Sequence, residues 1–78
     1  MTNTSPDSWL ASCFVASPNF DERGESPVDV VVLHYTGMPE EEAALARLCD
    51  PEAKVSSHYV VRENGEIVQL VAEGKRAW

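Results

Sequence analysis

The chain is predicted to be an α/β domain: a mixed central β-sheet with one helix packed on it, in the order β-α-β-β. Three observations carry that expectation. A near-continuous apolar run occupies residues 28–35, a helix-start signal follows it at Pro39-Glu40-Glu41-Glu42, and two alternating segments flank Asn64-Gly65.

The order builds up from the N-terminus. Residues 1–8 are polar and contain Pro6, which fits a loose arm, and residues 1–16 as a whole are expected to form an N-terminal arm. Trp9, Leu10, Phe14 and Val15 could cover a core, but their spacing specifies no element. Residues 17–27 hold Pro18, Asn19, Asp21, Gly24, Ser26 and Pro27, a density of turn formers that predicts an ordered loop. The run at 28–35 is broken only by Asp29, so it reads as a central strand covered on both faces, with His34 near its end.

Thr36-Gly37 ends that strand. Proline suits the first turn of a helix and carboxylates favour its positive end, so a helix begins at Pro39. Ala44 and Leu48 are one turn apart, as are Leu45 and Cys49, and the resulting apolar stripe can lie on the sheet. Asp50-Pro51 stops the helix, because proline pushes the residue before it out of the α region. The acidic residues at 40–42 read as a capping, solvated face rather than a cation site.

Residues 55–62 alternate, Asn64-Gly65 supplies a two-residue turn, and residues 66–71 return, which predicts a hairpin. That turn would set Val61 opposite Val68 and Tyr59 opposite Leu70. A tail, 72–78, follows. A three-stranded sheet with one helix leaves a face uncovered, which reads as the incomplete half of an α/β unit and as a surface open to self-association.

Composition limits function. At 78 residues the chain is one domain at most, with ordinary globular hydrophobic and charged content. Thirteen acidic residues against six basic ones give a charge of −7, which argues against nucleic acid and anionic membrane as partners. The longest apolar run is too short to cross a bilayer. Residues 1–10 show no secretory pattern, so a cytoplasmic location is expected. Cys13 and Cys49 lie far apart without CxxC spacing, which fits two reduced thiols.

Four pieces of the sequence, taken in order, resemble a known family. They are Ser17-Pro18-Asn19-Phe20-Asp21-Glu22-Arg23, then Val31-Val32-Leu33-His34-Tyr35-Thr36-Gly37, then Val55-Ser56-Ser57-His58-Tyr59-Val60-Val61 with Asn64-Gly65-Glu66, and Lys75-Arg76-Ala77-Trp78. Together they resemble the zinc-dependent N-acetylmuramoyl-L-alanine amidases, which are related to peptidoglycan-recognition proteins. The resemblance implies that residues 17–78 are the N-terminal portion of an amidase domain. It implies hydrolysis of the amide between N-acetylmuramic acid and L-alanine of peptidoglycan or muropeptides. Family members hold zinc through two histidines and a third ligand, and the matching position for the first histidine is His34. The further ligands and the acid–base residue are expected beyond Trp78, so the 78-residue chain by itself is expected to be inactive.

Zinc chemistry needs that full set, because three protein ligands leave an open position where a bound water becomes nucleophilic near neutral pH. His58 is assigned to structure. Tyr35, Thr36 and Gly37 serve turn formation or a substrate groove about equally well, and Ser57 is given no catalytic role. Arg23 and Arg76 are expected in internal salt bridges rather than on substrate carboxylates. Trp78 either stacks on sugar or packs in a core. The rival readings are a non-catalytic peptidoglycan-binding remnant and an oligomerising fragment.

Overall fold

A computed structural model describes residues 5–34 and 40–78. The chain is a small mixed α/β domain with one helix and two small sheets among the described residues. Its elements are β1 (Cys13–Phe14), β2 (Phe20–Glu22), α1 (Glu41–Leu48), β3 (Tyr59–Val61), β4 (Ile67–Gln69) and β5 (Lys75–Ala77). One sheet has the order β1-β4-β3, with β1 parallel and β3 antiparallel to β4, and the other pairs β2 with β5 antiparallel.

The helix follows the sequence pattern. Glu41 and Glu42 occupy its first turn and Arg47 its last, matching the helix dipole, and Ala44 and Leu45 are its buried residues. The cap residue Glu40 is extended and makes no side-chain cap bond. The acidic face is not simply solvated. Arg62 on the hairpin donates to Glu41 Oε1 at 3.0 Å and to Glu42, and the Glu63 N–H donates to Glu41 Oε2 at 2.6 Å. The helix start is thereby tied to the hairpin turn. The contribution of Pro39 lies outside the described residues.

The hairpin is present, one residue out of the expected register. Val61 faces Ile67, Val60 faces Val68 and Tyr59 faces Gln69. The turn explains the slip. A two-residue type I′ turn would need Asn64 at positive φ, yet Lys54 is the only non-glycine residue with positive φ among those described. Instead the Gly65 N–H donates to Arg62 O at 2.9 Å, the Arg62 N–H donates to Glu66 O at 2.8 Å, and Gly65 alone takes φ of 91°. This is a three-residue loop with glycine at the left-handed position. One residue of slip exchanges the faces of a strand. Val60, Val68 and Leu70 therefore join the core with Leu45, Val71, Leu48, Cys49 and Ala77, while Tyr59, Val61, Ile67 and Gln69 share the opposite face.

The run at 28–35 is the largest departure. Residues 28–34 form no strand, and Val28, Val30, Val31, Val32 and Leu33 are between 62% and 91% exposed. Tyr35 lies outside the described residues. A central strand needs a ladder on each side and cover on each face. Here β4 takes the centre, β1 and β3 flank it, and α1 is the one helix among the described residues to supply cover. The observed order β-β-α-β-β-β replaces β-α-β-β, because residues 13–14 of the expected N-terminal arm contribute β1, residues 17–27 contribute β2 and the tail contributes β5, while residues 28–34 contribute no strand.

Short polar devices join these parts. Gln69, fully buried, accepts the Asp7 N–H at 2.7 Å and donates to Asp7 Oδ2 at 2.7 Å and to Val71 O at 2.9 Å. Ser17 and Asn19 are both buried beneath the helix C-terminus, where Ser17 Oγ donates to Leu48 O at 2.5 Å. The Asn19 amide donates to Asp50 O and Val55 O at 2.8 Å each.

Candidate functional site

His34 stands at the end of the irregular, exposed segment 28–34 rather than on a strand. It is exposed, so its ring is not sealed among aliphatic side chains. Tyr35, Thr36 and Gly37 lie outside the described residues. No group of three or more His, Cys, Asp or Glu among the described residues is arranged to hold a metal ion. A zinc site requires three protein ligands, and the described residues do not assemble such a set.

His58 precedes β3 and is half-buried. Its Nε2 lies 2.9 Å from Lys75 O and 3.2 Å from Arg23 Nη2. Such bonding to a neighbouring backbone matches its assignment to structure. Arg23 differs from expectation, because it bonds the carbonyls of Glu73 at 2.8 Å and Lys75 at 2.7 Å rather than a carboxylate. Both bonds come from the one nitrogen Nη2, whose two hydrogens reach the two carbonyls together. Arg76 does form the expected ion pair, bidentate with Asp21 across the β2–β5 ladder at 2.7 and 2.5 Å, and Lys75 pairs likewise with Glu22. The Arg76 guanidinium holds the Asp21 carboxyl below its usual range.

The N-terminal residues contribute a second polar cluster. Tyr59 Oη donates to Glu73 Oε2 at 2.5 Å, and burial with this carboxylate contact pushes the phenol pKa up. Asp7 accepts the Glu73 N–H at 2.8 Å, and that bond with the Gln69 amide holds its carboxyl below the ordinary range. An open, mainly apolar hollow of about 300 Å³ lies beside this cluster, lined by Ser8, Leu10, Tyr59, Val61, Ile67 and Glu73. Sequence reasoning missed the cluster, since a polar arm such as Ser5-Pro6-Asp7 carries no spacing that names its partner.

The remaining candidates are resolved by local geometry. Ser57 Oγ donates to Tyr59 O at 3.0 Å, a local backbone contact. Cys13 and Cys49 are both free, as expected, and burial pushes the Cys49 thiol up, keeping it protonated. Trp78 is 44% exposed, and its backbone is bonded to Ser56 and Asn19.

A sequence model of the family described as N-acetylmuramoyl-L-alanine amidase matches residues 24–78, most of the chain. The chain belongs to that family. It is 35% identical to the 1,6-anhydro-N-acetylmuramyl-L-alanine amidase AmpD of Citrobacter freundii, over 92% of this chain and 49% of that protein. It is 34% identical to the AmpD of Escherichia coli K12, over 90% of this chain and 49% of that protein, and equally to that of Salmonella typhimurium LT2, over 90% and 48%. The chain thus spans about half the length of the curated amidases it matches. No solved structure matches it. The stretch matched by the amidase family model includes both His34 and His58 and begins just after Arg23. No helix among the described residues is long and apolar enough to cross a membrane.

Proposed function

We propose that the chain is the N-terminal part of a zinc-dependent N-acetylmuramoyl-L-alanine amidase, acting in the cytoplasm on peptidoglycan fragments or muropeptides. The observation that carries this reading is the family match over residues 24–78, joined by relatives that are amidases of 1,6-anhydro-N-acetylmuramyl-L-alanine. In this reading the domain has a mixed central sheet, and this chain is its incomplete first half. His34 is a zinc ligand, and its exposure supports that role because an imidazole must be reachable to share a metal. The other ligands and the acid–base residue are groups that the described residues do not supply.

The test separates metal from substrate. Calorimetric titration of the 78-residue chain with zinc is expected to show weak uptake, lost in His34→Ala, because one imidazole holds the ion poorly. A tight one-to-one site, or uptake that survives His34→Ala, would overturn the assignment of His34. Anhydro-muropeptide and peptidoglycan are then tested for binding, with zinc and with a chelator. Binding that survives the chelator marks the rival, non-catalytic remnant, and no binding to either material overturns the substrate reading.

Two observations favour a second reading, an assembling fragment: the exposed apolar side chains at 28–33, and a sheet in which β3 is an edge strand among the described residues. Elution in size-exclusion chromatography well above 8.6 kDa would support it.

A further inference from the structure

Two of the four family-like pieces meet at Arg23 and His58, and hydrogen counting there decides a protonation pattern. Arg23 Nη2 carries two hydrogens and no lone pair to offer. Glu73 O at 2.8 Å and Lys75 O at 2.7 Å take both. His58 Nε2, at 3.2 Å, is the longest of the three contacts, and no hydrogen of Nη2 remains for it. The same ring nitrogen lies 2.9 Å from Lys75 O, an atom that can only accept. A bare lone pair on Nε2 would face that oxygen without a proton between them. The hydrogen must therefore sit on Nε2.

We propose that Arg23 is a positioning residue for His58: by saturating its own hydrogens on the 73–75 carbonyls it fixes the imidazole as the Nε2–H tautomer. His58 then holds its lone pair at Nδ1 and acts there as an acceptor, suited to a hydroxyl or amide N–H donor. A second fact shows that Arg23 sits there for these contacts. Its Nε is buried with no partner among the described residues, a cost of about 1–3 kcal/mol that an arginine free to turn outward would avoid. The inference is independent of the amidase reading, since it needs neither metal nor substrate.

Long-range ¹H–¹⁵N correlation spectra of the ¹³C,¹⁵N-labelled 78-residue chain test it, recorded at about pH 8. The expected pattern is a single tautomer with the proton on Nε2, and a coupling across the hydrogen bond from Nε2 to the Lys75 carbonyl carbon. In Arg23→Lys and Arg23→Gln, checked for folding by their amide spectra, the ring is expected to become a mixture of tautomers. A wild-type ring protonated on Nδ1 or averaged between the two forms overturns the assignment whether or not either variant folds. A folded variant that keeps the pure Nε2–H pattern overturns the positioning role. If neither variant folds, couplings from Arg23 Nη2 to the Glu73 and Lys75 carbonyl carbons in the wild type decide that role, and their absence overturns it.

Discussion

Asn19 is the residue whose replacement should cost this domain most for the fewest atoms changed. It is 1% exposed, and its amide nitrogen reaches Asp50 O and Val55 O at 2.8 Å each and Leu48 O at 3.4 Å. One side chain thus ties the helix C-terminus to the loop that carries Lys54 at positive φ and leads to His58. Asn19→Ala strips a donor from two close carbonyls, and each buried acceptor left unsatisfied costs about 1–3 kcal/mol. Some of that returns, because Asn19 Oδ1 is already buried without a partner among the described residues and is removed too. The net loss is expected at about 2–3 kcal/mol, against a total stability on the order of 4–12 kcal/mol for a chain of this size. With a urea slope near 1–1.5 kcal/mol/M, the unfolding midpoint should fall by about 2 M, followed by circular dichroism.

Asn19→Asp sharpens the test. An ionised carboxylate would face two carbonyl oxygens, so its folded-state pKa is raised above the unfolded value of about 3.9. A raised pKa contributes stability that is present below the unfolded value and lost as pH rises through the folded one. Relative to wild type at the same pH, Asn19→Asp should therefore be least damaging below about pH 4 and worse than Asn19→Ala near pH 7. A midpoint for Asn19→Ala within 0.5 M of wild type (roughly 0.5–0.75 kcal/mol) would refute the clamp, since surface-like replacements stay within about that range.

Two further outcomes follow from the same packing. Leu70→Ala empties a core position that is 1% exposed and should cost about 2–5 kcal/mol, lowering the urea midpoint by about 2–4 M in the same assay. Asp7 has a lowered folded pKa, first through the Glu73 N–H and then through the Gln69 amide. Its contribution is present above the unfolded value near 3.9 and is lost as pH falls through the folded one. The N-terminal segment should therefore detach below about pH 4, read as a change in Trp9 fluorescence that Asp7→Asn shows already at neutral pH.

The sequence by itself determined the features whose causes lie within one turn or one loop. The helix follows from Glu41 and Glu42 at its positive end and from the stripe of Ala44, Leu45, Leu48 and Cys49. The hairpin follows from two alternating segments around Asn64-Gly65, and the family follows from short motifs in a fixed order. The Arg76–Asp21 pair was half legible, because partners of opposite charge were present but their ladder was not.

Only the tertiary structure decided what depends on distant cover or on a single dihedral angle. Gly65 alone at positive φ shifted the hairpin by one residue and sent Val60 and Val68, not Val61, into the core. The apolar run at 28–33 has the composition of a buried strand, yet it makes no ladder and stays exposed, since β propensity is realised only where partners and cover exist. Asn19 and Arg23 read as turn formers and salt-bridge candidates, and became clamps on backbone carbonyls because the chain brings residues 48–55 and 73–75 to them. Hydrogen bonds to carbonyls leave no trace in the identity of the acceptor residue, so no pattern in the sequence could have announced them.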